Sequence, residues 1–279
     1  MTSLAETRTT VATPVRTRAP RRRRLGRPRA IPFARLLGIV VVLGAWSLAS
    51  AAGTLDPRKL SAPWTVVRTG VDLIGDGTLQ ANLGPSLYRV AIGFGAGVLI
   101  GTALAVFAGL TRIGEALVDG PILVKRAVPL LGLAPLMILW LGIGEQFKIV
   151  LIALGVVTYM YVQTHAALTS IDQRYVELAE VLGLSRTVFL RKVVLPGALP
   201  GFFLGLRLSA TIAWLTLVVV EEVNATDGVG KMIFKAQDYG QSDVILVGLV
   251  VFGIFGFATD ALLRFLERKV LSWRRTLAS

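Results

Sequence analysis

Cysteine is absent from the 279 residues of the sequence, and histidine occurs only once. Without cysteine the chain forms no disulfide, no thiolate metal site and no cysteine nucleophile. Charged residues are also scarce: they make up 17% of the chain, against about a quarter in a typical soluble domain. Apolar residues reach 54%, so the composition is that of a chain surrounded by lipid rather than by water.

The apolar residues lie in six blocks, each close to the roughly 20 residues that a helix needs to cross about 30 Å of hydrocarbon. The blocks are 36–53, 86–110, 118–141, 147–167, 201–220 and 244–263. Several contain glycine or proline, which bilayer helices tolerate because neighbouring helices satisfy the backbone. The sequence therefore predicts an all-α integral membrane protein with six transmembrane helices.

The net charge of +13 is distributed unevenly between the two sides that six spans would define. Lysine and arginine number 21 on the segments that share a side with the two termini, and 6 on the opposite segments. This is the positive-inside pattern, and it places both termini in the cytoplasm. The basic excess thus reports topology and the lipid bilayer, with no nucleic-acid partner.

Residues 1–32 are rich in arginine, threonine, proline and alanine, with four consecutive arginines at 21–24. Such a segment buries too little apolar surface to fold, so a disordered basic cytoplasmic tail is expected before a transmembrane domain over 33–279. Basic residues, an apolar stretch and then Ala49, Ser50 and Ala51 also resemble a signal peptide with its cleavage site. The apolar stretch is long for a signal peptide, which favours a retained first helix.

Within the spans, glycine and proline carry the clearest local signals. Gly93, Gly97 and Gly101 are spaced by four, so they share one helix face and predict close helix packing, with a hinge as the alternative. Pro129 and Pro135 predict kinks in the third span, because proline removes a backbone hydrogen bond and clashes with the preceding turn. Such kinks either face a transport pathway or have no functional meaning.

The ionisable residues of the spans are few. Arg89 and Arg207 are expected near span ends, where their side chains reach the membrane surface. Asp260 has Arg264 as a partner one helical turn later. Glu221, followed by Glu222, ends the fifth span on its outer side, with a structural role, solvation, or a part in substrate exit or docking all open.

Residues 228–231 read Gly-Val-Gly-Lys and superficially resemble a phosphate-binding loop. Ala225 stands where the first glycine is needed, and Met232 replaces the serine or threonine that would hold magnesium. The sequence shows no metal-ligand cluster and no nucleophile paired with a base. No catalytic residue and no metal site are therefore predicted, and the chain is not expected to be an enzyme.

The cytoplasmic segment 172–196, between the fourth and fifth spans, predicts two short helices. An amphipathic helix over 172–182 has Val176, Ala179 and Leu182 on one face, and Gly183 supplies its C-terminal cap. Ser185 can cap the second helix, and Pro196 is expected to end it. From the residues alone, this element either docks into a groove of a partner protein or lies on lipid.

This segment resembles the EAA loop of ABC importer permeases. The matching residues are Glu177, Ala179, Gly183, Leu195 and Pro196. Leu178 stands where the family has a second alanine. The likeness extends from about Pro121 to the C-terminus, and the stretches 135–145, 205–208 and 266–268 resemble the subfamily for sulfonates, taurine and nitrate.

The resemblance implies a permease subunit in the bacterial inner membrane that forms a pathway for a small organic anion. Its implied partners are a second permease chain, expected to form a homodimer, a cytoplasmic P-loop ATPase and an extracytoplasmic solute-binding protein. ATP would be bound by the ATPase, so the chain itself needs no cofactor, and the EAA loop would couple the two. A thiamine-precursor-like or other heteroaromatic cargo, or an ion-driven secondary transporter, are the alternatives.

Overall fold

The computed structural model describes residues 34–223 and 225–273, with side chains from residue 37 onward. The predicted disordered tail, 1–32, lies outside these residues. All regular structure in the described residues is helical. The chain divides after Gly44 into two units, and the second begins at Ala45.

Eleven α-helices follow one another in the described residues. They are α1 (Ala34–Ala51), α2 (Pro63–Gly75), α3 (Thr78–Leu110), α4 (Arg112–Ala127), α5 (Ala134–Leu141), α6 (Glu145–Thr169), α7 (Gln173–Val181), α8 (Arg186–Phe189), α9 (Leu195–Glu222), α10 (Val229–Asp238) and α11 (Ser242–Val270). A 3₁₀ turn, Leu130–Leu133, precedes α5, and a π-helical turn, Leu190–Val194, joins α8 to α9.

Four of the described helices are long and apolar enough to cross a membrane: α3, α6, α11 and the continuous helix Arg186–Glu222. They contain the predicted spans 86–110, 147–167, 201–220 and 244–263. The pair Arg112–Ala127 and Leu130–Leu141 gives a fifth span if the two helices are counted together, and α1 contributes a shorter apolar helix, Leu37–Ala51. The helical membrane fold is thus confirmed, whereas the count of six is not.

The third predicted span is broken at one of the two prolines where kinks were expected. Its two halves meet at 96°, and Val128 at the end of α4 has extended backbone angles. Pro129 accounts for this break, because a proline disfavours helical backbone angles in the residue before it. Pro135 does not kink a helix, because it stands in the first turn of α5, where a missing N–H leaves no helical hydrogen bond unmade.

The core is built on α6, the most enclosed of the long helices. In its most apolar 18-residue stretch 67% is buried, against 11% in the corresponding stretch of α11. The helix α3 runs parallel to it, since Gly93 meets Ile152 and Gly109 meets Leu168. In contrast α9 is antiparallel to α6. These directions bring the starts of α3 and α6 together with the end of α9.

Three glycines of α3 lie against α6. An added Cβ would stand 2.7 Å from Ile152 Cγ2 at Gly93, 2.5 Å from Val156 Cβ at Gly97, and 2.7 Å from Met160 Cβ at Gly101, and all three glycines are buried. Such approaches are shorter than side chains tolerate, so the two backbones can come this close only because these positions lack a side chain.

Pro196 does not end a helix, contrary to the expectation from the sequence. The helix runs unbroken from Arg186 to Glu222. Directly before the proline, the N–H of Leu195 donates to the Leu190 carbonyl, five residues back. This wider turn accommodates a proline that could not join a regular α-helical ladder.

Candidate functional site

Two candidate regions lie at opposite ends of the bundle. The first is a cluster of charges, which we call the charged cluster, where α3 and α6 begin and α9 ends. It comprises Ser86, Arg89, Glu145, Lys148, Glu221 and Asp227. The second is the segment 172–196 around α7, which follows the end of α6 and precedes α9. Because α9 is part of one continuous helix, it connects the two regions.

Arg89 is the centre of the charged cluster and is only 1% exposed. Its Nε and Nη2 donate to the two carboxylate oxygens of Glu145, at 2.6 and 2.8 Å. Its Nη1 donates to Glu221 Oε1 and to the Asp227 carbonyl, both at 2.8 Å. A second bond from Nη2 reaches Asp227 Oδ1 at 2.6 Å. All five N–H groups of the guanidinium are therefore used.

Glu221 is completely buried and receives hydrogen bonds from α3 and α10. Ser86 Oγ donates to Oε1 at 2.7 Å, beside the bond from Arg89, and the backbone N–H of Gly230 donates to Oε2 at 2.7 Å. A Cβ at Gly228, whose φ is +123°, would stand 2.5 Å from this carboxylate. The glycines of the phosphate-loop-like stretch thus enclose an internal carboxylate.

These contacts correct two expectations. Arg89 does not extend to the membrane surface but is buried, and the proposed solvation of Glu221 is wrong. The sequence did hold a signal, because it placed Arg89 and the carboxylates of Glu145 and Glu221 near the same outer level. Opposite charges at one depth in a membrane protein tend to pair.

A second set of ion pairs joins α9 to α11. Arg207 Nε donates to Asp260 Oδ1 at 3.0 Å, and Arg264 lies 2.6 Å from Asp260 Oδ2. The predicted pairing of Asp260 with Arg264 is therefore present. Arg207 also has a partner of opposite charge on the neighbouring helix, and all three side chains remain partly exposed.

The helix α7 has well-defined caps at both ends. Asp172 Oδ1 accepts from the N–H of Arg174 at 3.0 Å. At the other end Gly183 has φ +63°, its N–H donates to the Glu180 carbonyl, and the Leu184 N–H donates to the Ala179 carbonyl. This pair of bonds is the Schellman motif, in which a left-handed residue terminates the helix. Ser185 begins α8 without a side-chain capping bond.

Most of α7 is exposed, including its apolar residues. Only Ala179, 7% exposed, packs against the rest of the protein, whereas Val176 and Leu182 of the predicted apolar face are exposed. Val181 is 84% exposed, and Leu178 is exposed as well. Such an apolar surface on a short capped helix is typical of an interaction site.

The other residues singled out from the sequence lie on the same segment. Glu177, Gly183 and Leu195 are exposed, and Pro196 is partly buried. Beside them a cavity of about 1180 Å³ opens between the end of α6, α7 and the start of α9. Tyr175, Lys192 and Pro196 are among the residues that line it. Within the described residues no group of three or more histidine, cysteine or acidic side chains could hold a metal ion.

Comparison with known proteins shows which family this chain resembles. Residues 97–272 match the family described as binding-protein-dependent transport system inner membrane component. SsuC of Bacillus subtilis, whose name describes an aliphatic sulfonates transport permease protein, is 38% identical over 91% of this chain and 92% of its own length. The taurine transport system permease protein TauC of Escherichia coli is 34% identical over 84% of this chain and 87% of its own.

Solved structures share the fold at lower identity. An amino acid ABC transporter has a chain that superposes with a TM-score of 0.56 at 18% identity, covering 67% of this chain and 92% of that one. The MetNI methionine ABC transporter gives 0.53 at 21% identity, covering 74% and 96%. The chain therefore belongs to the family of binding-protein-dependent transport system inner membrane components, and it is a membrane-spanning ABC transporter permease rather than an enzyme.

Proposed function

We propose that this chain forms the translocation pathway of an ATP-driven importer for a small organic anion, such as a sulfonate, taurine or nitrate. The cargo class is supported by relatives named for aliphatic sulfonates, taurine and nitrate. The observation that carries the importer mechanism is α7, a short capped helix with an exposed apolar surface. ATP is bound by a separate ATPase subunit that covers this surface, and the chain itself holds no cofactor.

The proposed topology has six spans, with α1 as the first and the bent pair α4–α5 as the third. Both termini and the α7 segment then lie in the cytoplasm of a bacterial cell, in its inner membrane. The exposed basic side chains near α7 support this orientation, because cationic residues favour the cytoplasmic side. They include Arg112, Arg174, Arg186, Arg191 and Lys192.

The path of the chain suggests how the two regions are coupled. Gly183 and Leu184 bond back to α7, and from Arg186 one unbroken helix reaches Glu221 in the charged cluster. When ATP brings the ATPase subunits together, a displacement of α7 is therefore transmitted along this helix. The residues Glu177, Ala179, Gly183, Leu195 and Pro196 act mechanically in this step. A second permease chain lines the other half of the pathway, and a solute-binding protein delivers cargo from outside.

The substitution Val181→Glu tests the docking site. It adds a charge to an 84% exposed apolar position, so it should leave folding intact while preventing an apolar contact with the ATPase. The matched control is Tyr239→Glu, since Tyr239 is 71% exposed at the end of α10. The tagged chain is purified from its own host in mild detergent, and the co-purified P-loop ATPase is quantified.

We expect wild type and Tyr239→Glu to retain the ATPase and Val181→Glu to lose at least about nine-tenths of it. Equal recovery of the ATPase with Val181→Glu would overturn the docking assignment. Recovery of no ATPase with the wild-type chain would instead favour an ion-driven transporter. Competition of uptake by ethanesulfonate, taurine, nitrate and a heteroaromatic amine then identifies the cargo class.

A further inference from the structure

A second cavity, of about 290 Å³, lies where α4 breaks away from α5. Val128, Pro129 and Leu130 of the break form one wall, and α6 and α9 form the others. Non-helical backbone inside a membrane protein is tolerated where it is buried in protein or lines a cavity. The break is thus associated with a space that a small molecule could enter.

The charged residues that line this cavity are all positive. Lys125 and Arg126 contribute two positive side chains, and no acidic residue is among the residues that line it. Tyr159 and Gln163 add groups that donate hydrogen bonds. At Gly155 an added Cβ would stand 2.9 Å from Leu130 Cδ2 and 3.0 Å from Ile212 Cγ2, so a side chain there would narrow the space.

Lys125 has only neutral partners in the part of the chain that the structure describes. Its Nζ donates to the Leu154 carbonyl at 2.6 Å and to Thr158 Oγ1. An ammonium group has three N–H donors, so one remains for a ligand. The two buried cations of the charged cluster differ, because Arg89 and Lys148 are both paired with carboxylates.

The depth of Lys125 was not evident from the sequence, because the predicted third span, 118–141, contains Lys125 although its charge was counted with the inner segment. Leu154 and Thr158 flank the middle of the 25-residue helix α6, so Lys125 lies level with that middle. A charged side chain at this depth of a membrane protein is costly and usually has a function. Its charge is stabilised when an anion enters the cavity.

We propose that Lys125 binds the anionic group of the cargo, with Gln163 as a hydrogen-bonding neighbour, at a subsite midway through the pathway. This inference rests on the proposed function, since it requires a cargo that is an anion. A sulfonate, carboxylate or nitrate supplies the counter-charge that the described residues around Lys125 lack. Cargo leaves again because one monovalent contact is weak enough to exchange.

The absence of cysteine from the chain permits a test that needs no knowledge of the cargo. A single cysteine is introduced as Gln163→Cys, in the lining of the cavity, in the transporter assembled with its ATPase. It is labelled with two methanethiosulfonates of similar size, one carrying a sulfonate and the other a trimethylammonium group. The ratio of the two rates, corrected for the ratio with a free thiol, reports the local potential.

We expect this ratio to favour the anionic reagent and to fall about tenfold when Lys125→Met is added. Lys125→Arg should retain it, and the control Lys269→Met, at an exposed lysine near the end of α11, should leave it unchanged. A ratio that is the same with lysine and methionine at position 125 would overturn the subsite.

Uptake of labelled ethanesulfonate into vesicles that contain the complete transporter separates the two proposals. Wild-type uptake with at least a tenfold lower kcat/KM for Lys125→Met, largely restored by Lys125→Arg, supports both. Wild-type uptake that Lys125→Met leaves unchanged contradicts the Lys125 subsite alone. No wild-type uptake of any tested anion, together with a labelling ratio that depends on Lys125, contradicts the proposed cargo and retains an anion subsite.

Discussion

The two ends of the bundle differ in which groups they bury and which they expose. In the charged cluster, polar groups are removed from solvent, and every N–H of Arg89 has an acceptor within the chain. At α7, in contrast, apolar side chains such as Val181 are exposed to solvent. A polar network whose hydrogen bonds are all made within the chain is rigid. An exposed apolar surface, in contrast, marks a site where a partner binds and removes that surface from water.

This difference gives the long helix two unequal anchors. At its far end Glu221 is fixed by Ser86 and Arg89 of α3 and by Gly230 of α10. At its near end the side chain of Arg186 donates a hydrogen bond to the Leu110 carbonyl at 3.0 Å. We therefore expect mutations in the charged cluster to affect stability most and mutations around α7 to affect assembly and transport most.

The largest effect should come from Arg89→Met, which leaves the fully buried Glu221 without its cation. Removal of one partner from a buried ion pair destabilises by about 3–5 kcal/mol, so little folded protein should accumulate. Thermal unfolding of the purified chain in detergent measures this loss. Adding Glu221→Met to Arg89→Met should recover part of it, and an unchanged melting temperature for Arg89→Met would contradict the role of the cluster.

A smaller loss is expected between the two ends, where α3 lies against α6. In Gly97→Leu the Cβ alone would stand 2.5 Å from Val156 Cβ, and overpacking of this kind destabilises by about 1–3 kcal/mol. Gly95→Leu is the matched control, because nothing lies within 4 Å of a Cβ there. The melting temperatures of the two variants should differ clearly; equal values would show that the contact can relax.

At α7 we expect a modest loss of stability with a large loss of transport. Gly183 has φ +63° with open space around its Cβ position, so Gly183→Val introduces only backbone strain of about 1–2 kcal/mol. Asparagine tolerates this conformation better, so Gly183→Asn is the control. The melting temperature and ATPase-coupled uptake are measured together. Normal uptake by Gly183→Val would contradict a coupling role for this helix end.

The smallest effect should come from Arg264→Met, which removes a half-exposed partner of Asp260. Exposed ion pairs contribute about 0–1 kcal/mol, and Arg207 remains beside the same carboxylate. The melting temperature should therefore change little, and less at high salt. If the melting temperature fell as far as in Arg89→Met, the stability contribution of an ion pair in this protein would not depend on how exposed the pair is.

Part of the site was within reach of sequence reasoning. Helix ends depend on neighbours in the chain, so the pattern of Asp172, Gly183 and the residues between them was enough to expect a short helix at the position of α7. The break at Pro129 was expected as a kink for the same local reason. The unbroken passage of the helix through Pro196 was missed, because a π-helical turn has no clear sequence signature.

By itself the sequence determined the chemical class of the molecule: apolar helices long enough for a bilayer, no thiol chemistry, and a short amphipathic helix between two of the spans. Only the tertiary structure decided which charges on different helices meet. Arg89 and Glu221 are 132 residues apart, and Lys125 lies level with the middle of α6 because α4 turns away from α5 by 96°. Hydropathy and caps act over one or two helical turns, whereas these pairings depend on helix rotation and tilt, which packing against neighbouring helices determines.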